Sequence, residues 1–103
     1  MSVYVDDAFV GGDWGKWIGG GHLQADTADE LHEFAARLGL KRSWFQSKPG
    51  RPEYDHYDLT RSKRDLALRI GAIDEGSRGA VRRALARQQQ REAEAAGHRR
   101  RSA

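Results

Sequence analysis

The sequence predicts an α+β fold: a small sheet of short strands covered on one face by two helices, with a basic helix added at the C-terminus. Three observations predict it. Apolar and polar residues alternate over 2–8 and 54–59, the period of half-buried strands. Between them, Leu31, Phe34, Ala35 and Leu38 repeat at helical spacing. The last stretch, residues 77–103, holds 8 Arg against 2 Glu and almost no large apolar residue. The order strand, loop, strand, helix, strand, loop, strand, helix and tail helix suits a sheet layered with helices. A compact parallel α/β arrangement is the alternative.

Each element has a local cause. In "SVYVDDA", Val3 and Val5 alternate with Ser2, Tyr4 and Asp6, giving a short strand that ends in two carboxylates. "GGDWGKWIGGG", Gly11 to Gly21, holds six glycines and is a loop, yet Trp14, Trp17 and Ile18 make it too apolar for a plain linker. "HLQAD" from His22 is a second short strand. Thr27 and Glu30 form the spacing of a capping box, and Gly39 is the stop for the helix they open. "LKRSWFQ" is a third strand with Trp44 and Phe45 in the core, and "SKPGRPE" is a turn. "YDHYDL" sets Tyr54, His56 and Asp58 on one side and Asp55, Tyr57 and Leu59 on the other. Thr60 caps a second helix over 61–70, with Leu66 and Ile70 inward and Gly71 closing it. "AI" at 72–73 adds a final short strand. Ser77 caps a third helix to Gly97, of thin apolar content, whose first turns dock and whose end, with "HRRRSA", frays.

At 103 residues and 11.6 kDa the chain has room for one small domain, 1–76, and a basic helical tail, 77–103. The net charge of +3 hides a division: residues 1–76 carry 10 Lys/Arg and 13 Asp/Glu, so an acidic body bears a basic tail. That tail is a counterion for phosphates or a solvated arm. Cysteine is absent, which excludes disulfides, thiol catalysis and Cys-ligated metals and fits a cytoplasmic location. No apolar run approaches the ~20 residues of a bilayer span, and no basic leader precedes an apolar block, so no membrane partner and no secretory signal are expected.

Four groups of residues could carry chemistry. Arg61, Lys63 and Arg64 crowd the first turn of the second helix, where the backbone is already partly positive. With the Thr60 and Ser62 hydroxyls they form a candidate anion site for phosphate or carboxylate. Lys63 and Arg64 lie ~100° apart, so one of them pairs with Asp58 or Asp65. The second group is His22 and His56, each near an aspartate, Asp26 and Asp58 respectively. Asp58 follows His56 by two, on the same strand face, and can orient its ring; the pair of histidines suits acid–base work on a phosphodiester. His32 is a boundary residue. Third, Asp6 and Asp7 end a strand, but neither a magnesium site there nor a zinc site from His22, His32 and His56 has a compact motif, so no metal and no cofactor is predicted. Fourth, Trp14 and Trp17 are candidates for base stacking. The loop is no phosphate loop, since Trp17 stands where Ser or Thr is required after the lysine.

Taken together, "YVDDA", "HLQADTADELHEFAARLGL", "WFQ", "HYD" and "SKRDLALRIGAI" resemble a family of small bacterial and phage proteins classed as a domain of unknown function. The resemblance spans about residues 2–74 and leaves out the tail. It implies no activity, but it marks His22, Asp26, His32, His56, Asp58, Lys63 and Arg64 as motif residues. "SKPGRPEYD" and the glycine-rich loop look different from that pattern. The expectation is a binding module for a phosphate-bearing ligand, a nucleotide or nucleic acid. The alternatives are a small phosphoesterase or nuclease using the His pair, and an oligomerisation or adaptor protein that forms homo-oligomers through its C-terminal helix.

Overall fold

The computed structural model describes residues 2–102, with side chains as far as residue 97. Strands β1 (Val3–Val5), β2 (Gly21–Ala25), β3 (Gln46–Lys48), β4 (Arg51–Leu59) and β5 (Ile73–Asp74) form one sheet in the order β3-β4-β2-β1-β5. Among the described residues only β1 and β5 pair in parallel, so the compact parallel arrangement is not the one adopted. Helices α1 (Ala28–Arg37) and α2 (Arg61–Arg69) supply Leu31, Phe34, Ala35 and Ala67 to a core shared with Val5, Leu23, Tyr57 and Leu59. Helix α3 (Gly76–Ser102) completes the α+β architecture. No described helix is long and apolar enough to cross a membrane.

The helix starts follow local chemistry. Thr27 Oγ1 accepts the Glu30 amide at 3.2 Å and donates to Glu30 Oε1 at 2.9 Å, a variant of the capping box in which the glutamate meets the hydroxyl. Thr27→Ala should therefore cost about 1 kcal/mol, read as a fall of roughly 5 °C in thermal unfolding. Gly39, at φ 79°, closes the same helix as its sequence position predicts. Thr60 caps α2 by accepting the Lys63 amide. Ser77 does not cap α3, which begins one residue earlier. Its amide and hydroxyl instead donate to Asp7 Oδ1 at 2.8 and 2.7 Å, so a carboxylate from the end of β1 serves this terminus.

The expected strand over 40–46 is corrected. Residues Arg42–Trp44 form a 3-10 turn, and the edge strand starts only at Gln46. The stretch has no two-residue alternation to hold it in a sheet. Phe45 packs against the core, 5.7 Å from the Tyr57 ring, while Trp44 is 51% exposed rather than buried. The Pro49-Gly50 pair turns the chain back, with Gly50 at φ 73°, so the predicted turn joins β3 to a β4 longer than expected.

Helix α3 docks more extensively than its apolar content suggests. Arg83, Arg87 and Arg91 recur every four residues along one face. Arg83 lies 4.2 Å over the Tyr4 ring and donates to Glu75 and Gln24, Arg87 reaches the Ala25 carbonyl, and Arg91 grips Glu53. Arginine stems cover apolar surface while their heads remain hydrogen-bonded. The expected fraying over 98–103 falls outside the described side chains.

Candidate functional site

Strand register builds a row of polar side chains across the sheet. His22 on β2 stands opposite Asp58 on β4, and Gln46 on β3 stands opposite His56. Asp6 continues the β1–β2 ladder, its amide donating to the His22 carbonyl at 3.2 Å. Residues directly opposite one another project from the same face, so Asp6, His22, Asp58, His56 and Gln46 come together there. His22 Nδ1 lies 2.9 Å from Asp6 Oδ2, and its Nε2 lies 3.6 Å from Asp58 Oδ1. His56 Nε2 approaches the same Asp58 oxygen at 3.5 Å, and the two imidazoles sit edge to face with centroids 4.9 Å apart. Gln46 donates to the other oxygen of Asp58 at 2.8 Å.

The electrostatics of the row follow from these contacts. The hydrogen bond to Asp6 holds His22 above the usual imidazole range against the opposing effect of burial. Burial pushes the Asp6 carboxyl up, but hydrogen bonds from the His22 ring, the His22 amide and the Ala8 amide outweigh it and leave the group low. One ligand atom from each of His22, His56 and Asp58 lies within 4.8 Å of the other two, so these are the described residues able to hold a metal ion. Phe9 covers the His22 ring at 5.1 Å and leaves the imidazole partly exposed.

Asp58 also lies on the wall of a cleft of about 530 Å³, together with Lys16, Trp17, Trp44, Thr60 and Lys63. Two cations, two indoles and a carboxylate beside a histidine pair thus share one concavity.

A family described as "Protein of unknown function (DUF4031)" matches residues 3–87. The chain belongs to this family. No curated protein and no solved structure matches it. The DUF4031 match extends past residue 74, where the sequence resemblance stopped, and takes in α3 as far as Arg87, including the docked Arg83.

The DUF4031 chain divides its predicted site residues. His22, His56 and Asp58 come together, but the partner of His22 is Asp6; Asp26 instead accepts from the Ser2 amide and the Tyr4 hydroxyl at 2.8 and 2.9 Å. His32 bonds Tyr57 Oη at 2.9 Å, and burial lowers its pKa. The basic cluster on α2 does not converge. Lys63 Nζ donates at 2.6 Å to the carbonyl of Leu38, at the negative end of α1. Arg64 turns the other way, to the Asp6 carbonyl at 2.8 Å and to Asp74 at 3.1 Å. Arg61 lies against Gly19, and Ser62 Oγ stays 3.3 Å from Thr60 Oγ1. The helical rotation of ~100° per residue separates them, leaving Thr60 and Lys63 at the cleft. Trp17 lines the cleft and carries Lys16 at 5.1 Å, whereas Trp14 packs on Phe9 at 4.9 Å, away from it. Trp44 takes the second aromatic position. Sequence reasoning missed Asp6 and Gln46 as orienting partners; the one local signal was that "YVDD" ends a strand in carboxylates.

Proposed function

We propose that the chain hydrolyses a phosphate-bearing ligand, a nucleotide or nucleic acid strand, with chemistry at His22, His56 and Asp58 and binding in the adjoining cleft. The observation that carries this reading is the shared position of the two imidazoles around one carboxylate oxygen. Rings on opposite sides of the sheet would have left binding alone. In the hydrolysis, a water oxygen attacks phosphorus as one imidazole takes its proton, and the ester P–O bond breaks as the leaving oxygen gains a proton from the other. Lys16 and the spare donors of Lys63 offset charge on the phosphoryl oxygens, and Trp17 and Trp44 offer faces for a base. Self-association through α3 keeps one supporting observation of its own, that Val81 and Leu85 stand exposed four residues apart.

The test is turnover of a chromogenic phosphodiester, a phosphomonoester and a short oligonucleotide, with and without added divalent ions. The expected result is turnover of at least one, reduced about 100-fold or more in Asp58→Asn and His56→Ala at unchanged fold, with Lys63→Ala raising KM. A thermal shift by nucleotides with no turnover would support the binding-module reading instead. Turnover that survives Asp58→Asn would overturn the assignment.

A further inference from the structure

We propose that His22, His56 and Asp58 form a binding site for a divalent transition-metal ion of the zinc class. Asp58 Oδ1 stands 3.6 Å from His22 Nε2 and 3.5 Å from His56 Nε2. Tetrahedral ligands at the usual zinc distance of roughly 2.0–2.1 Å stand about 3.3 Å from one another. These separations are too long for strong hydrogen bonds and close to the spacing of ligands around one ion.

The orientation of every ligand carries the argument further. The Tyr54 carbonyl oxygen can only accept, so His56 Nδ1, 2.7 Å away, holds a proton, and Nε2 is the atom left to face Asp58 and to offer a lone pair to an ion. The Asp6 carboxylate likewise fixes a proton on His22 Nδ1 at 2.9 Å, so that a metal ion at Nε2 would take the place of the second proton that the two aspartates favour there. Gln46 occupies Asp58 Oδ2 and leaves Oδ1 turned toward the histidines. Nε2 of each ring and Asp58 Oδ1 thus lie within 4.8 Å of one another while their companion atoms are engaged elsewhere, and a positive species between them, a metal ion or a ring proton, is what holds such a group together. A ring N–H given to a carboxylate or backbone carbonyl is how metal-binding histidines are generally held. Two imidazoles select zinc, cobalt or nickel over magnesium and calcium, which prefer oxygen ligands alone. Three protein ligands leave a fourth position for water, the pattern of reactive rather than structural zinc sites. Side-chain exposures of 32%, 23% and 29% for His22, His56 and Asp58 give an ion a way in.

An ion held there would supply an activated water as the nucleophile for the hydrolysis proposed above, the proton that water loses passing to the leaving oxygen, and the two histidines would then hold the ion in place of their acid–base role. Binding is nevertheless read independently of turnover. The full chain, cleared of metal with a chelator, is titrated calorimetrically with Zn²⁺, Co²⁺ and Mg²⁺. The expected result is one Zn²⁺ per chain with Kd of about 1 µM or tighter, weaker Co²⁺, no heat from Mg²⁺, and a higher Tm at saturating Zn²⁺. Asp58→Asn and His56→Gln, both near in shape to the parent, should each weaken Zn²⁺ about 100-fold. Asp6→Asn, which touches no ion, should weaken it 10- to 100-fold by releasing the His22 ring. Circular dichroism of the metal-free variants shows whether each is folded, and the two near-isosteric ones decide the matter if Asp6→Asn is not. Absence of stoichiometric binding at about 10 µM, or binding unchanged in both Asp58→Asn and His56→Gln, would overturn the site and leave a proton as the species between the lone pairs. Zinc binding without hydrolysis removes the proposed activity alone; hydrolysis undiminished in chelator with no zinc binding removes this site alone.

Discussion

Gly21→Ala should lower the melting temperature by about 10–20 °C and disturb the His22 environment at the same time. A Cβ added at Gly21 would lie 2.2 Å from the Asp6 carbonyl oxygen and 2.7 Å from Asp6 Oδ1. The contact is with backbone and with a carboxylate already fixed by the His22 amide at 2.8 Å, so no flexible side-chain end can swing away. One strand must move by the better part of an ångström. Overpacking of this kind costs about 1–3 kcal/mol, occasionally more, and in a domain of this size each kcal/mol moves Tm by roughly 4–8 °C. Gly20→Ala should be comparable, since its Cβ would fall 1.9 Å from the Leu59 carbonyl oxygen, but its damage lies in the β2–β4 ladder. Gly11→Ala, with nothing within 4 Å, is the neutral control. Thermal unfolding ranks the three, and the amide resonance of His22 separates the first two: it shifts strongly in Gly21→Ala and weakly in Gly20→Ala. A Gly21→Ala protein melting within about 2 °C of the parent would refute the close approach of Asp6 to β2.

What could be read from the sequence, and what could not, divides by the range of the interaction. Thr27, Gly39 and Thr60 act on amides and carbonyls a few residues away, so their roles were visible in the order of residues. The common face of His56 and Asp58 was visible too, because a strand repeats every two residues. The Asp6–His22 contact was not. It depends on β1 lying beside β2 in a register that carries the ladder one residue past Val5, and nothing near His22 states which strand adjoins it. Asp26, nearer in sequence, looked the better partner. The basic start of α2 misled for the same reason. Its cations look unanswered until the C-terminal carbonyl of α1 is brought to Lys63 and the Asp6 carbonyl and Asp74 to Arg64. The electrostatic oddity at that helix start is thus largely resolved within the chain, and the unexplained concentration of polar groups lies one element away, on the sheet.

The second large effect concerns α3. Arg91→Ala should lower Tm by about 10 °C although it removes a side chain from a helix almost devoid of large apolar residues. The Glu53 side chain is 1% exposed, and both its oxygens accept from the Arg91 guanidinium, Oε1 at 3.1 Å. Truncating the arginine removes both hydrogen bonds from a carboxylate that the arginine itself covers, and the loss of that compensation, offset in part by the water that enters, is what destabilises. It follows that removing both charges should be far milder: Glu53→Met combined with Arg91→Leu should recover most of the lost Tm, since apolar groups of similar volume need no partner. The pH dependence has a definite sign. The bond from Arg91 holds the Glu53 carboxyl below the ordinary glutamate value despite its burial, so its contribution is fully present above about pH 4.3 and is lost as pH falls through the lower folded value. The Tm advantage of the parent over Arg91→Ala should therefore be constant near neutrality and shrink below about pH 4. Asp6 and Asp7 are held low as well and lose stabilisation in the same direction in every variant, so the difference between variants isolates Glu53. An Arg91→Ala protein within about 2 °C of the parent at pH 7 would show that α3 does not depend on this pair. A gap that persists unchanged to pH 3 would show that the arginine acts through packing of its stem and not through charge.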